Sequence, residues 1–258
     1  MRFDSDYPTY IMLDKASIEA KIFKNLVQQF PGQSITKFPQ QLMTESVPIE
    51  FKATDGKTIK GYITYTPTEK QSAMPMVVLV HGGPQGRDYR EYNSELQLLA
   101  SQGYRGLQIN YRGSLGYGRN FLTAGDRHWG DNIQQDIIDG TRWAIKNKFA
   151  IKDKICIMGT SFGGYSAVQR AILAPDLYQC AVSNAGIYDL TKLYDEGDIA
   201  QYYTGKAFLE RVIGKDHNQL RAFSPAYNAE KLAATVFIAH GRKNQRAPVE
   251  HAEVLIKA

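Results

Sequence analysis

Residues 154–172, KICIMGTSFGGYSAVQRAI, decide how this chain is read. An apolar, strand-length run ends in Gly159-Thr160-Ser161-Phe162-Gly163-Gly164, and a helix-compatible segment follows without a gap. A strand that turns directly into a helix leaves no room for bulk beside the turn, and glycine supplies that lack of bulk. The same turn holds its serine exposed at the top of a sheet. The first N–H groups of the helix then point at the serine, where negative charge develops during acyl transfer. Ser161 is therefore expected to be a nucleophile.

Apolar strand-length runs recur at 76–80, 106–110, 155–159, 180–184 and 235–239, separated by helix-length segments. Buried strands alternating with helices predict a mostly parallel sheet covered on both faces, an α/β fold. In NIQQDIIDGTRWAIKNK (132–148) the residues Ile133, Ile137, Ile138, Trp143 and Ile145 fall near one stripe of a helix. Upstream, ESVPIEFKATDGKTIKGYITYTP (45–67) places two alternating runs around Asp55-Gly56, a strong hairpin signal. YPTYIMLDKASIEAKIFKNL (7–26) reads as strand, turn, strand, and FPGQSITKFPQQ (30–41) as a linker.

Bulk properties narrow the function classes. A chain of 258 residues with 43% hydrophobic and 22% charged residues has ample core for one large domain. Its net charge of +5 is scattered rather than blocked, which argues for a solvated surface and against a nucleic-acid partner. The best apolar run, MVVLV (76–80), is strand-sized and too short to span a membrane. Cys156 and Cys180 both lie in apolar strands and are expected to be buried free thiols, with no metal site and no cofactor implied.

A second element suits the serine. VVLVHGGPQGRDY (77–89) ends a strand with His81-Gly82-Gly83-Pro84. An oxyanion hole in such folds takes one backbone N–H from this loop and one from the residue after the serine. The expected donors are the amides of Gly83 and Phe162. His81 precedes the serine and is expected to satisfy local hydrogen bonds rather than act as a base.

HGGP (81–84), INYRGSLGYGRNF (109–121), HWGDNIQQD (128–136) and GTSFGGYSA (159–167) together resemble the prolyl oligopeptidase family of serine peptidases. The branch with acylaminoacyl peptidases and bacterial dipeptidyl aminopeptidases is the most similar. The resemblance runs from about residue 45 to the end. It implies an α/β-hydrolase fold, a short peptide substrate and a β-propeller elsewhere in a longer parent chain. Residues 1–44 would then be the end of a propeller blade plus linker, and 45–258 the catalytic domain without its last strand and helix. Arg112, in the NYRGS stretch, is expected to be a structural arginine.

A serine hydroxyl needs a general base, and the base needs an anion to orient it. In this fold the order along the chain is serine, acid, histidine. The family pattern H-G-x-x-D-x-x-V-P meets His240, Gly241, Arg242, Lys243, Asn244, Gln245, Arg246, Ala247 and Pro248, so Asn244 occupies the position of the acid. An amide can accept a hydrogen bond but carries no charge, and its NH2 can hold a histidine in the wrong tautomer. His251 follows on what reads as a helix surface, and His128 and His217 precede the acid position without a supporting motif. The expectation is that the triad histidine is not in this chain. Tyr202, Tyr203 and Phe208, in the aromatic-rich segment 186–228, are candidates for the wall of a substrate pocket. Two rival expectations remain: a carboxylesterase of the same fold, and a catalytically impaired chain used for binding.

Overall fold

The computed structural model describes the backbone of residues 9–13 and all of residues 43–258. Each of the five long apolar runs forms a strand: β4 (Met74–Val80), β5 (Arg105–Asn110), β6 (Ala150–Thr160), β7 (Cys180–Asn184) and β8 (Thr235–His240). They pair in parallel, in the spatial order β5-β4-β6-β7-β8. The hairpin β2 (Ser46–Lys52) and β3 (Thr58–Thr64) extends the sheet antiparallel beyond β5. Its loop is longer than a two-residue turn, because Ala53 N–H reaches Lys57 O (2.9 Å) and Gly56 N–H reaches Ala53 O (2.8 Å).

At the opposite edge β1 (Thr9–Leu13) runs antiparallel to β8, from Thr9 beside His240 to Leu13 beside Val236. Part of the stretch read as a blade remnant thus joins this sheet and covers backbone groups that an edge strand leaves open. The second strand and the linker expected within 14–42 lie outside the described residues.

Helices α1 (Ser94–Ser101), α2 (Arg119–Thr123), α3 (Asn132–Lys146), α4 (Phe162–Leu173), α5 (Tyr203–Val212), α6 (His217–Ala222) and α7 (Glu250–Lys257) fill the connections. Ile133, Ile137 and Ile138 of α3 are buried as the helical stripe requires, while Trp143 and Ile145 are half-buried against the core. Trp143 stacks between Phe51 of β2 and Phe149 (ring centroids 5.9 and 5.4 Å).

The two cysteines depart from expectation. Cys156 and Cys180 face each other in register across β6 and β7, with Cα atoms 4.7 Å apart, and are joined as a disulfide. Each strand taken alone points to a free thiol. Parallel register puts both side chains on one face at neighbouring positions, which only the pairing reveals.

Arg112 is structural, as expected, and its setting shows how. It is buried, its Nε and Nη2 donate to the two carboxylate oxygens of buried Asp136 (2.9 and 2.7 Å), and Nη1 donates to Asp55 Oδ2 (2.8 Å). Burial opposes the charge on Arg112, but the hydrogen bonds to Asp136 and Asp55 outweigh it and hold the guanidinium protonated. The network bolts the loop after β5 to α3 and to the turn of the hairpin. Removing one partner of a buried pair strands the other charge and costs about 3–5 kcal/mol. Asp136→Ala is therefore expected to lower the unfolding free energy by about that amount in a urea titration, and Asp55→Ala, whose carboxylate is 48% exposed, by much less.

Candidate active site

Ser161 stands between β6 and α4, with φ 60° and ψ −120°, a backbone conformation that side chains other than glycine rarely adopt. Two hydrogen bonds hold it there. Its N–H donates to Asn184 O of β7 (2.9 Å), and its carbonyl accepts from Tyr165 N–H in α4 (3.0 Å). The turn passes so close to β4 that a Cβ at Gly163 would lie 2.0 Å from Val80 O. The serine is half-buried rather than packed away, and it makes no side-chain bond to cap α4. The first N–H groups of a helix have no intrahelical acceptor, so those of α4 remain available at its positive end.

The loop after β4 arrives beside it. A Cβ built on Gly82 would lie 3.7 Å from Ser161 Cβ, so the HGGP backbone and Ser161 are neighbours. Gly83 has φ +128°, a region that favours glycine, and a cis peptide joins it to Pro84. Gly83 is exposed, whereas Phe162 is fully buried. The Phe162 ring is wedged among Trp129, Tyr165 and Tyr111 (centroids 5.0, 5.4 and 5.7 Å), which anchors the residue whose amide begins α4.

His81 supports this loop from below. Its ring lies on Tyr111 (centroids 4.3 Å), Nδ1–H donates to Gly82 O (2.9 Å), and Nε2 faces Ser114 Oγ (3.0 Å). Burial lowers its pKa to about 4, so the ring is neutral at pH 7. A residue that carries no signal in the sequence, Asp88, ties down the far end of the same loop. Its N–H donates to Asn110 Oδ1 (2.8 Å), its carbonyl accepts from Asn110 Nδ2 (3.1 Å), and its Oδ1 accepts from Gln108 Nε2 (2.9 Å). Its Oδ2 is buried with no hydrogen-bond partner among the described residues, and desolvation raises the pKa to about 7.

Asn244 lies on the loop after β8. Its Oδ1 accepts from the N–H groups of Arg246 and Ala247 (3.0 Å each), and its own N–H donates to Gly241 O (3.1 Å). Turning the amide over would set its NH2 against two N–H donors, so the oxygen faces the turn and Nδ2 faces away. Buried His240 closes the loop, with Nε2–H donating to Ala247 O (2.7 Å).

All five histidines lie among the described residues, and none of them hydrogen-bonds Ser161 Oγ. His128 pairs with Asp131 (3.0 Å), and His217 starts α6 in solvent. His251 corrects the expectation of a helix-surface residue, being fully buried in α7. Its Nδ1 accepts from the N–H groups of Tyr188 and Asp189 (3.4 Å each), and burial lowers its pKa to about 4. The inward face of α7 explains this, since Ala252 and Leu255 are buried with it.

Of the candidate pocket residues, Tyr202 lines a cavity with Asp198 and Gln245. Tyr203 is 89% exposed at the start of α5. Phe208 is half-buried against the core, beneath Arg211 (5.5 Å to the ring). Among the described residues no group of three or more metal-ligating side chains converges, and no helix is long and apolar enough to cross a membrane.

Residues 90–258 match the sequence profile of the Prolyl oligopeptidase family. Dipeptidyl aminopeptidase BIII of Pseudoxanthomonas mexicana is 30% identical over 226 residues, covering 82% of this chain and 32% of that protein. Acylamino-acid-releasing enzyme 1 of Oryza sativa subsp. japonica is 26% identical over 208 residues, covering 78% of this chain and 27% of that protein. The acylaminoacyl peptidase of Pyrococcus horikoshii superposes with a TM-score of 0.74 at 27% identity, over 83% of this chain and 35% of its own. A puromycin hydrolase, at 23% identity and a TM-score of 0.78 over 86% of this chain and 34% of its own, shares the fold. The chain thus spans about a third of the length of these relatives.

The buried Asp88 carboxyl gives a testable signature. A group whose pKa is raised on folding keeps its proton in the native state after the unfolded chain has lost it. Its contribution is complete below the unfolded value of 3.8 and is lost as pH rises through about 7. Asp88→Asn keeps an acceptor for Gln108 and removes the charge. It is expected to raise the urea midpoint at pH 8, with the gain shrinking toward pH 4. A gain of equal size at both pH values would contradict the assigned ionisation.

Proposed function

The chain belongs to the prolyl oligopeptidase family of serine peptidases, and we propose that Ser161 is its nucleophile, acting on short peptides with the oxyanion held by the amides of Gly83 and Phe162. The observation that carries this reading is the approach of the Gly82 backbone to Ser161 Cβ beside the free N-terminus of α4. In the proposed reaction Ser161 Oγ bonds to the scissile carbonyl carbon and gives its proton to a base. The carbonyl oxygen takes the electron pair and lies between the two amides. Collapse breaks the C–N bond, the leaving amine takes the proton, and an ester on Ser161 remains for water to cleave.

No histidine among the described residues hydrogen-bonds Ser161 Oγ, and one feature supports an impaired form of that chemistry. Asn244, at the position of the acid, has its oxygen committed to its own turn. Its outward Nδ2 is a donor, and a histidine meeting it would offer a ring nitrogen as acceptor. That histidine would then carry its proton on the other nitrogen, toward the serine, where a base must have none. When asparagine replaces the triad aspartate of a serine protease, the same tautomer reversal lowers turnover by about 10⁴.

Fluorophosphonate labelling of the 258-residue chain, with and without added imidazole as a diffusible base, tests the reading. Imidazole is expected to accelerate labelling, Ser161→Ala to abolish it, and Asn244→Asp to raise the imidazole-dependent rate. A Ser161 that stays unlabelled under all conditions would overturn the nucleophile assignment. Imidazole-dependent cleavage of simple esters but not of aminoacyl anilides would shift the substrate class to an esterase of the same fold.

A further inference from the structure

A cavity of about 390 Å³ opens between the loop that carries Asn244 and the segment leading into α5, lined by Gly197, Asp198, Gln201, Tyr202, Gln245 and Pro248. Its two walls are tied together at the base. Asp198 N–H donates to Gln245 O (2.9 Å), and a Cβ on Gly197 would come within 2.9 Å of Arg246 O. The volume falls at the lower end of the ~300–1,000 Å³ typical of small-ligand sites, which suits one or two residues of a peptide. Gln245 follows Asn244, the residue at the acid position, directly in the chain.

The lining selects by charge. Among the described residues that line it, Asp198 alone is formally charged, and Arg246, outside the lining, already neutralises that carboxylate (Nε to Oδ1, 2.6 Å). An anion entering the cavity would meet Asp198, and a cation would compete with a guanidinium already in place. What remains are two carboxamides, Gln201 and Gln245, each a donor and an acceptor, beside the 65% exposed ring of Tyr202. A neutral, planar group with both a donor and an acceptor matches all three. We propose that this cavity is a subsite for a neutral amide of a peptide, either a carboxamide side chain or a backbone peptide unit. The proposal rests on the peptidase reading for its ligand class, not for its geometry.

The test titrates the isotope-labelled 258-residue chain with N-acetyl-glutamine N-methylamide and with its norleucine, glutamate and lysine counterparts. The side-chain NH2 resonances of Gln201 and Gln245 are followed by NMR. Tighter binding of the glutamine compound than of norleucine assigns the subsite to a carboxamide side chain, and equal binding of the two assigns it to the backbone unit. Tyr202→Ala and Gln245→Leu are each expected to weaken binding about fivefold, the net worth of roughly one hydrogen bond or stacking contact, with an unchanged melting temperature. No shift with any compound, tighter binding of the glutamate or lysine compound, or variants that bind as the parent does would overturn the proposal. Ser161→Ala leaves these shifts in place, so a failed subsite and a failed nucleophile are read separately.

Discussion

The structure turns on one close approach, the backbone of Gly163 against the carbonyl of Val80. A side-chain carbon at residue 163 would sit 2.0 Å from that oxygen, far inside van der Waals contact. Because no side chain intervenes, α4 starts immediately against β4, and β6 ends in a bend with no spare residue. The bend sets Ser161 at φ 60°, a backbone conformation rarely adopted outside glycine. The same closeness brings the loop after β4 alongside the serine. The placement of Ser161, of the loop and of the helix terminus thus follows from one steric fact rather than three separate ones.

Holding that bend requires the surrounding loops to be stiff, and they are stiffened by buried polar groups. Arg112 with Asp136 fixes the loop after β5 to α3. Asp88 with Gln108 and Asn110 fixes the loop after β4 to β5. His240 closes the loop after β8 onto Ala247. Apolar packing alone is indifferent to small rotations of a loop, whereas directional hydrogen bonds in a low-dielectric setting are not. Burial raises the pKa of the Asp88 and Asp136 carboxyls among them and lowers that of the His240 imidazole.

The parallel strands were legible because each carries an unbroken apolar run; β4 and β5 are buried along nearly their whole length, and the apolar ends of β6 and β7 alternate buried with half-buried residues. The turn at Ser161 was legible because its glycines answer a local steric demand that sequence spacing displays directly. Other features depend on register or on distant partners, which no local pattern carries. Cys156 and Cys180 meet because β6 and β7 pair with those two residues opposite each other. His251 is buried because the stripe of α7 that includes it faces the segment around Tyr188, 63 positions earlier in the chain. Asp88 carried no sequence signal, since an acid in a polar loop is ordinarily solvated. The orientation of the Asn244 amide follows from a turn whose donors are backbone groups, to which side-chain motifs are blind.

The pairing of β1 with β8 sets a delay during synthesis. Thr9 lies beside His240, so the first strand leaves the ribosome long before its neighbour exists. At about 5–20 residues per second, that wait is on the order of tens of seconds. Throughout it, the nascent segment TYIML lacks its β8 partner and is apolar in composition, so a chaperone able to shelter extended apolar peptides would serve this chain chiefly at that segment.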